Sequence, residues 1–151
     1  MTDSLPVIKN KVSGGFRIRF GLGLTLLGFI VFLVGAEPSL FGLDRSPVIG
    51  FVQITVFLVG LGMICLGGYI SLAALWNGGS KSIISDIGQR LVATGYMIAF
   101  GSGMADLFGF GSQQYPYIPR FGGWQSLGVL AGQIIIGIGF LMLIPYKKPP
   151  T

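Results

Sequence analysis

Residues 48–76, VIGFVQITVFLVGLGMICLGGYISLAALW, decide the fold. These 29 residues hold no charged side chain, and apart from glycines their polar positions are few, chiefly Gln53, Thr55 and Ser71. A helix rises about 1.5 Å per residue, so about 20 apolar residues cross a bilayer core and this run does so with length to spare. The stretch predicts a transmembrane helix, and the rest of the chain reads as its partners and connections.

Composition agrees. Hydrophobic residues make up 52% of the chain, charged residues 10%, and mean hydropathy is +0.78. A soluble domain carries about 25% charged residues, so a soluble class is excluded. With 151 residues there is room for one membrane domain. The chain has no histidine and a single cysteine, Cys65, inside the apolar run. This excludes an intrachain disulfide and Cys/His metal sites, and Cys65 reads as a small core residue. The pI near 9.7 suggests a nucleic-acid partner, but the basic residues follow topology and form no patch, so none is expected.

Working outward from residues 48–76, the expected organisation is a basic tail (1–17), a first hairpin (18–76, spans about 18–36 and 48–76), a polar connection (77–90), a second hairpin (91–146, spans about 91–108 and 124–144) and a short tail (147–151). The first apolar run resembles a secretory signal, with basic residues before it and the small residues Val34-Gly35-Ala36 at its end. The duplication described below argues that it is retained as a helix. Glu37, Pro38, Asp44, Arg45 and Pro47 mark a loop, and Tyr115, Pro116, Tyr117, Pro119 and Arg120 mark another. Eight of the ten Lys and Arg residues (Lys9, Lys11, Arg17, Arg19, Lys81, Arg90, Lys147, Lys148) lie on one side, against Arg45 and Arg120 on the other. The positive-inside rule then places both termini in the cytoplasm. The expected setting is a bacterial cytoplasmic (inner) membrane, crossed four times by an all-α protein.

The halves share a pattern. Gly28-Phe29 and Leu40-Phe41-Gly42 recur as Gly95-Tyr96 and Leu107-Phe108-Gly109, offset by 67; Pro47, Gly50, Gln53, Gly60 and Gly67 recur as Pro119, Gly122, Gln125, Gly132 and Gly139, offset by 72. This predicts two tandem hairpins in parallel repeat, unlike the inverted repeats common in transporters. Pairs spaced by seven (Gly28 and Gly35, Gly60 and Gly67, Gly132 and Gly139) each mark one helix face, and Gly128 with Gly132 forms GxxxG. Such faces let backbones approach in a bilayer, for packing within the unit or docking of another subunit.

Few residues can carry chemistry. Gln53 and Gln125 occupy matching depths near the outer side and Gln133 lies deeper; they read as interhelical hydrogen bonders or as the lining of an outward pocket for a lipid headgroup or quinone-like ring. Glu37, Arg45, Asp106 and Arg120 read as interfacial ion pairs. Tyr115, Tyr117, Phe121 and Trp124 read as an aromatic belt. Lys81 beside Ser80 and Ser82 has no third group to orient it as a catalytic base, and Gly101, Gly103, Gly109 and Gly111 follow no strand. The expectation is therefore a non-catalytic protein without cofactor, partnered by the bilayer and by other membrane subunits or itself, acting as an accessory or scaffold subunit. The alternative is a small oligomeric transporter, channel or lipid/quinone-binding protein.

Overall fold

A computed structural model describes residues 7–43, 50–76, 79–110 and 121–146. These are helical and contain no strand: α1 (Val7–Ala36), a single 3-10 turn (Pro38–Phe41), α2 (Phe51–Leu75), α3 (Ile83–Gly103) and α4 (Gly123–Leu143). Three stretches are long and apolar enough to cross a membrane: Gly14–Ala36, Phe51–Leu75 and Gly123–Leu143.

Sequence chemistry sets the ends. Pro38 disfavours helical geometry at Glu37, whose φ of −140° ends α1. Gly42, at φ +65°, closes the following turn in a left-handed conformation that a side chain would strain. Ser82 caps α3 by accepting the Ser85 N–H at 3.2 Å. Gly122 has no side chain with which to cap α4, so Gln125 reaches back and accepts the Gly122 N–H at 2.6 Å, half of a capping box. Pro145 holds Ile144 extended and stops the helix.

Several boundaries differ from expectation. The long helix begins at Phe51; residues 48 and 49 lie outside the described residues. The basic tail expected at 1–17 is helical from Val7, because nothing in Lys9–Arg19 except Gly14 and Gly15 opposes a helix already propagating from the apolar run. The polar connection expected at 77–90 is largely the start of α3: the Ser82 cap and an exposed Asp86–Arg90 pair (3.3 Å, four residues apart) carry the helix eight residues ahead of Leu91. At its other end α3 stops at Gly103 and residues 104–109 form turns, so the helix expected at 91–108 lies instead at 83–103, and α3 is not among the three stretches long and apolar enough to cross a membrane.

Two hairpins result. α1 packs along α2 and α3 along α4, while the hairpins meet chiefly through α2. Glycines make the close approach possible within each. A Cβ on Gly28 would lie 2.6 Å from Met63 Cβ and 3.0 Å from the Gly60 carbonyl; one on Gly67 would lie 2.6 Å from the Gly21 carbonyl. In the second hairpin a Cβ on Gly95 would lie 2.6 Å from the Gly132 carbonyl, and one on Gly139 2.8 Å from the Gly88 carbonyl. Thr25 and Ser71 hydroxyls, next to these contacts, donate to carbonyls of their own helices, Gly21 and Gly67, each at 2.9 Å. Between hairpins, Tyr96 Oη donates to the Leu58 carbonyl (3.3 Å) and Trp76 Nε1 to the Leu143 carbonyl (3.1 Å). Leu61, Cys65, Val92, Ala99, Ile136 and Leu143 form the shared core, which places Cys65 among the buried apolar residues.

Candidate functional site

The first hairpin's glycine face fixes where space remains. At the end that carries Ala36 and Phe51, Gly35 lies so close to the Phe57 backbone that no side chain fits, and the Phe32 and Phe57 rings pack at a tilt of 37° with centroids 4.6 Å apart. Beyond these rings α1 and α4 face each other across a cleft of about 510 Å³ without closing it. Its walls are Phe32 and Ala36 from α1, Gln53, Ile54 and Phe57 from α2, and Ser126, Leu127, Leu130 and Gln133 from α4, with Gly103 at the end of α3 and Phe121 before α4. The volume is typical of a small-molecule site.

Two of the three glutamines expected to act together meet here. Gln53, in the first turn of α2, and Gln133, midway along α4, both line the cleft. Gln125 does not. It is 4% exposed, its Oε1 caps Gly122, and its Nε2 has no hydrogen-bond partner among the described residues. Matching depth in sequence did not predict this: Gly50 and Gly122 are both glycine N-caps with a glutamine three residues on, yet Gln125 reaches back to its cap N–H while Gln53 lines the cleft. Gln133, one face further along, takes the place assigned to Gln125.

Among the described residues no charged side chain lines the cleft. Ser126 Oγ donates to the Gly123 carbonyl (2.8 Å), which leaves its lone pairs free to accept. The cleft thus offers an apolar slot with two amides, each able to donate and accept. Such a lining suits binding, and among the described residues it holds no nucleophile paired with a base. A smaller cavity of about 210 Å³ adjoins it, sharing Ile54, Gly103 and Phe121 and reaching Asp106, which is half-buried. No group of three His, Cys, Asp or Glu side chains gathers among the described residues.

The other expected site residues fall elsewhere. Gly28, Gly35, Gly60 and Gly67 face each other's helices inside the first hairpin; Gly132 and Gly139 do so in the second, and Gly128 abuts Ser102. These faces are consumed within the chain, which leaves docking to other surfaces. Glu37 accepts a hydrogen bond from Ser39 Oγ at 2.6 Å. Arg45 and Arg120, and with them both expected ion pairs, lie outside the described residues, as do Tyr115 and Tyr117. Trp124 is exposed at the start of α4, while Phe121 turns into the cleft.

The sequence reading missed Gly21, Gly88 and Ser102 as contact positions. The signal was present: Gly21 continues the seven-residue spacing of Gly28 and Gly35, and the offset of 67 carries these three to Gly88, Gly95 and Ser102. No known protein family matches this chain, and no curated protein or solved structure is found to be similar to it.

Proposed function

We propose that this chain is a non-catalytic subunit of a larger membrane assembly, built from two tandem copies of one hairpin. In this reading all four helices cross a bacterial cytoplasmic membrane and both termini are cytoplasmic. The repeat is supported by equivalent contacts: Gly28 meets Gly60 as Gly95 meets Gly132, and Gly21 meets Gly67 as Gly88 meets Gly139. A transmembrane α3 is supported by the placement of its charges, Asp86 and Arg90, in the first two turns, where side chains snorkel to an interface.

The observation that carries the assembly reading is that the four helices form no closed bundle. Only 17% of the most apolar stretch of α1 is buried, against 28% in α2 and in α4, and α1 faces α4 across open space. Close packing is what holds helices together in a bilayer, so an arrangement this open is completed by other helices. The native mass of the protein extracted mildly from its membrane tests this. The expected result is a particle that contains larger, different subunits in fixed ratio; one containing only this chain would overturn the accessory role.

A second reading is favoured by one observation, the presence of Gln53 and Gln133 in the same apolar cleft. Here the chain binds a lipid-soluble molecule whose oxygen atoms accept from the amides, as a quinone or lipid carbonyl would. Decylubiquinone serves as the probe. Gln53→Leu with Gln133→Leu is expected to weaken its binding about eightfold, the effect of two hydrogen bonds of roughly 0.6 kcal/mol each. Unchanged binding would remove this reading, and Gln125→Leu should leave binding intact because that side chain lies outside the cleft.

A further inference from the structure

We propose that the groove between α2 and α3, at the end opposite the glutamine cleft, holds one anionic phospholipid. The groove has a volume of about 420 Å³. Tyr69 and Gln89 lie at one end and Leu66, Ala93 and Met97 continue away from it, while the Tyr96 hydroxyl at the inner end beside Gly62 is taken up by the Leu58 carbonyl. From Tyr69 to Gly62, its limit on α2, is seven residues or about 10 Å of helix, enough to take the upper part of an acyl chain.

Charge identifies the occupant. Lys81 Nζ lies 5.4 Å from the centroid of the Tyr69 ring and donates to Tyr69 Oη at 3.4 Å, so the cation is held at the polar end of the groove. The nearby charges do not cancel it. Arg90 pairs with Asp86, and among the described residues no acidic side chain lines the groove. A net cation beside an amide, above an apolar slot open to the bilayer, matches a phosphodiester headgroup with a hydrocarbon tail below it. A zwitterionic lipid fits the slot but gains less, because its own cation opposes Lys81. Basic pockets between transmembrane helices recur as sites for anionic lipid.

The test uses the full chain, purified in detergent and depleted of lipid, with retention of palmitoyl-oleoyl phosphatidylglycerol and phosphatidylcholine read by native mass spectrometry. Phosphatidylglycerol is expected to bind about fivefold more tightly, the contribution of one interfacial lysine. Lys81→Gln should abolish that preference; Lys81 is exposed, so the fold is retained. Ala93→Phe, at an exposed position inside the groove, should reduce retention of both lipids. Equal binding of the two lipids, a preference that survives Lys81→Gln, or an Ala93→Phe variant that binds as wild type would each overturn the proposal. So would a second copy of the chain occupying the groove in place of lipid.

Discussion

Gly132→Ala is expected to lower the stability of the detergent-solubilised protein by about 2 kcal/mol, within the range for overpacking a tight interface, while Gly137→Ala causes no loss. The two positions lie on one helix, five residues apart. At Gly132 an added Cβ would sit 2.5 Å from the Gly95 carbonyl oxygen, 2.7 Å from the Ala99 nitrogen and 2.8 Å from Ala99 Cβ. None of these atoms can swing aside, since two belong to backbone and the third is fixed to it. The helices must therefore separate, and the dispersion contacts of Gly95, Ala99 and Ile136 weaken together. In a bilayer no hydrophobic term offsets that loss, because lipid chains are as apolar as the side chains they replace. At Gly137 nothing lies within 4 Å, and alanine there brings only its better helix propensity, up to about 1 kcal/mol in water. Thermal unfolding followed by circular dichroism reads both variants. Finding Gly132→Ala as stable as Gly137→Ala would mean that α3 and α4 do not approach as described.

How much of this could be read in the sequence depends on which force fixes each feature. Uncharged length fixed the helices at 51–75 and 123–143, since a bilayer-scale apolar run has one stable conformation in lipid. The starts of α1 and α3 were misplaced because hydropathy says where a helix can be buried and nothing about how far it continues into polar sequence; local capping at Ser82 and the Asp86–Arg90 pair decide that. Glycine spacing is a local signal of a close-packed face, and the same series continued to the helix ends reaches Gly21 and Gly88. The cleft was half legible. Gln53 and Gln133 read from the sequence as interhelical hydrogen bonders or as pocket lining, but which helix faces meet across a gap is tertiary information. The offset that matched Gln125 to Gln53 could not reveal that one of them is drawn into a helix cap. Lys81 reads from the sequence as one of the topology-setting cations and as a base without an orienting group, and its position over Tyr69 is tertiary information.

Leu58→Ala is expected to cost about 2 kcal/mol, at the low end for truncating a buried leucine, and to loosen the junction between hairpins more than either hairpin itself. Leu58 is 1% exposed, among the most deeply buried large side chains, and its Cδ1 lies 3.2 Å from where a Cβ on Gly103 would sit. It thus fills the junction of α2 with the end of α3. In a water-soluble core such a truncation loses transfer energy as well as packing; here lipid is the alternative solvent, so chiefly the cavity and its lost dispersion contacts remain. The same geometry gives a sharper check. Gly103→Ala alone presses on Leu58 and should be mildly destabilising, whereas in the Leu58→Ala background the added methyl enters the space the leucine has left. The double variant is therefore expected to be more stable than the sum of the single changes predicts, with coupling of about 0.5 kcal/mol or more, the lower limit for residues in contact. Strict additivity would show that Leu58 and Gly103 do not share a packed junction, and the placement of the two hairpins against each other would have to be redrawn.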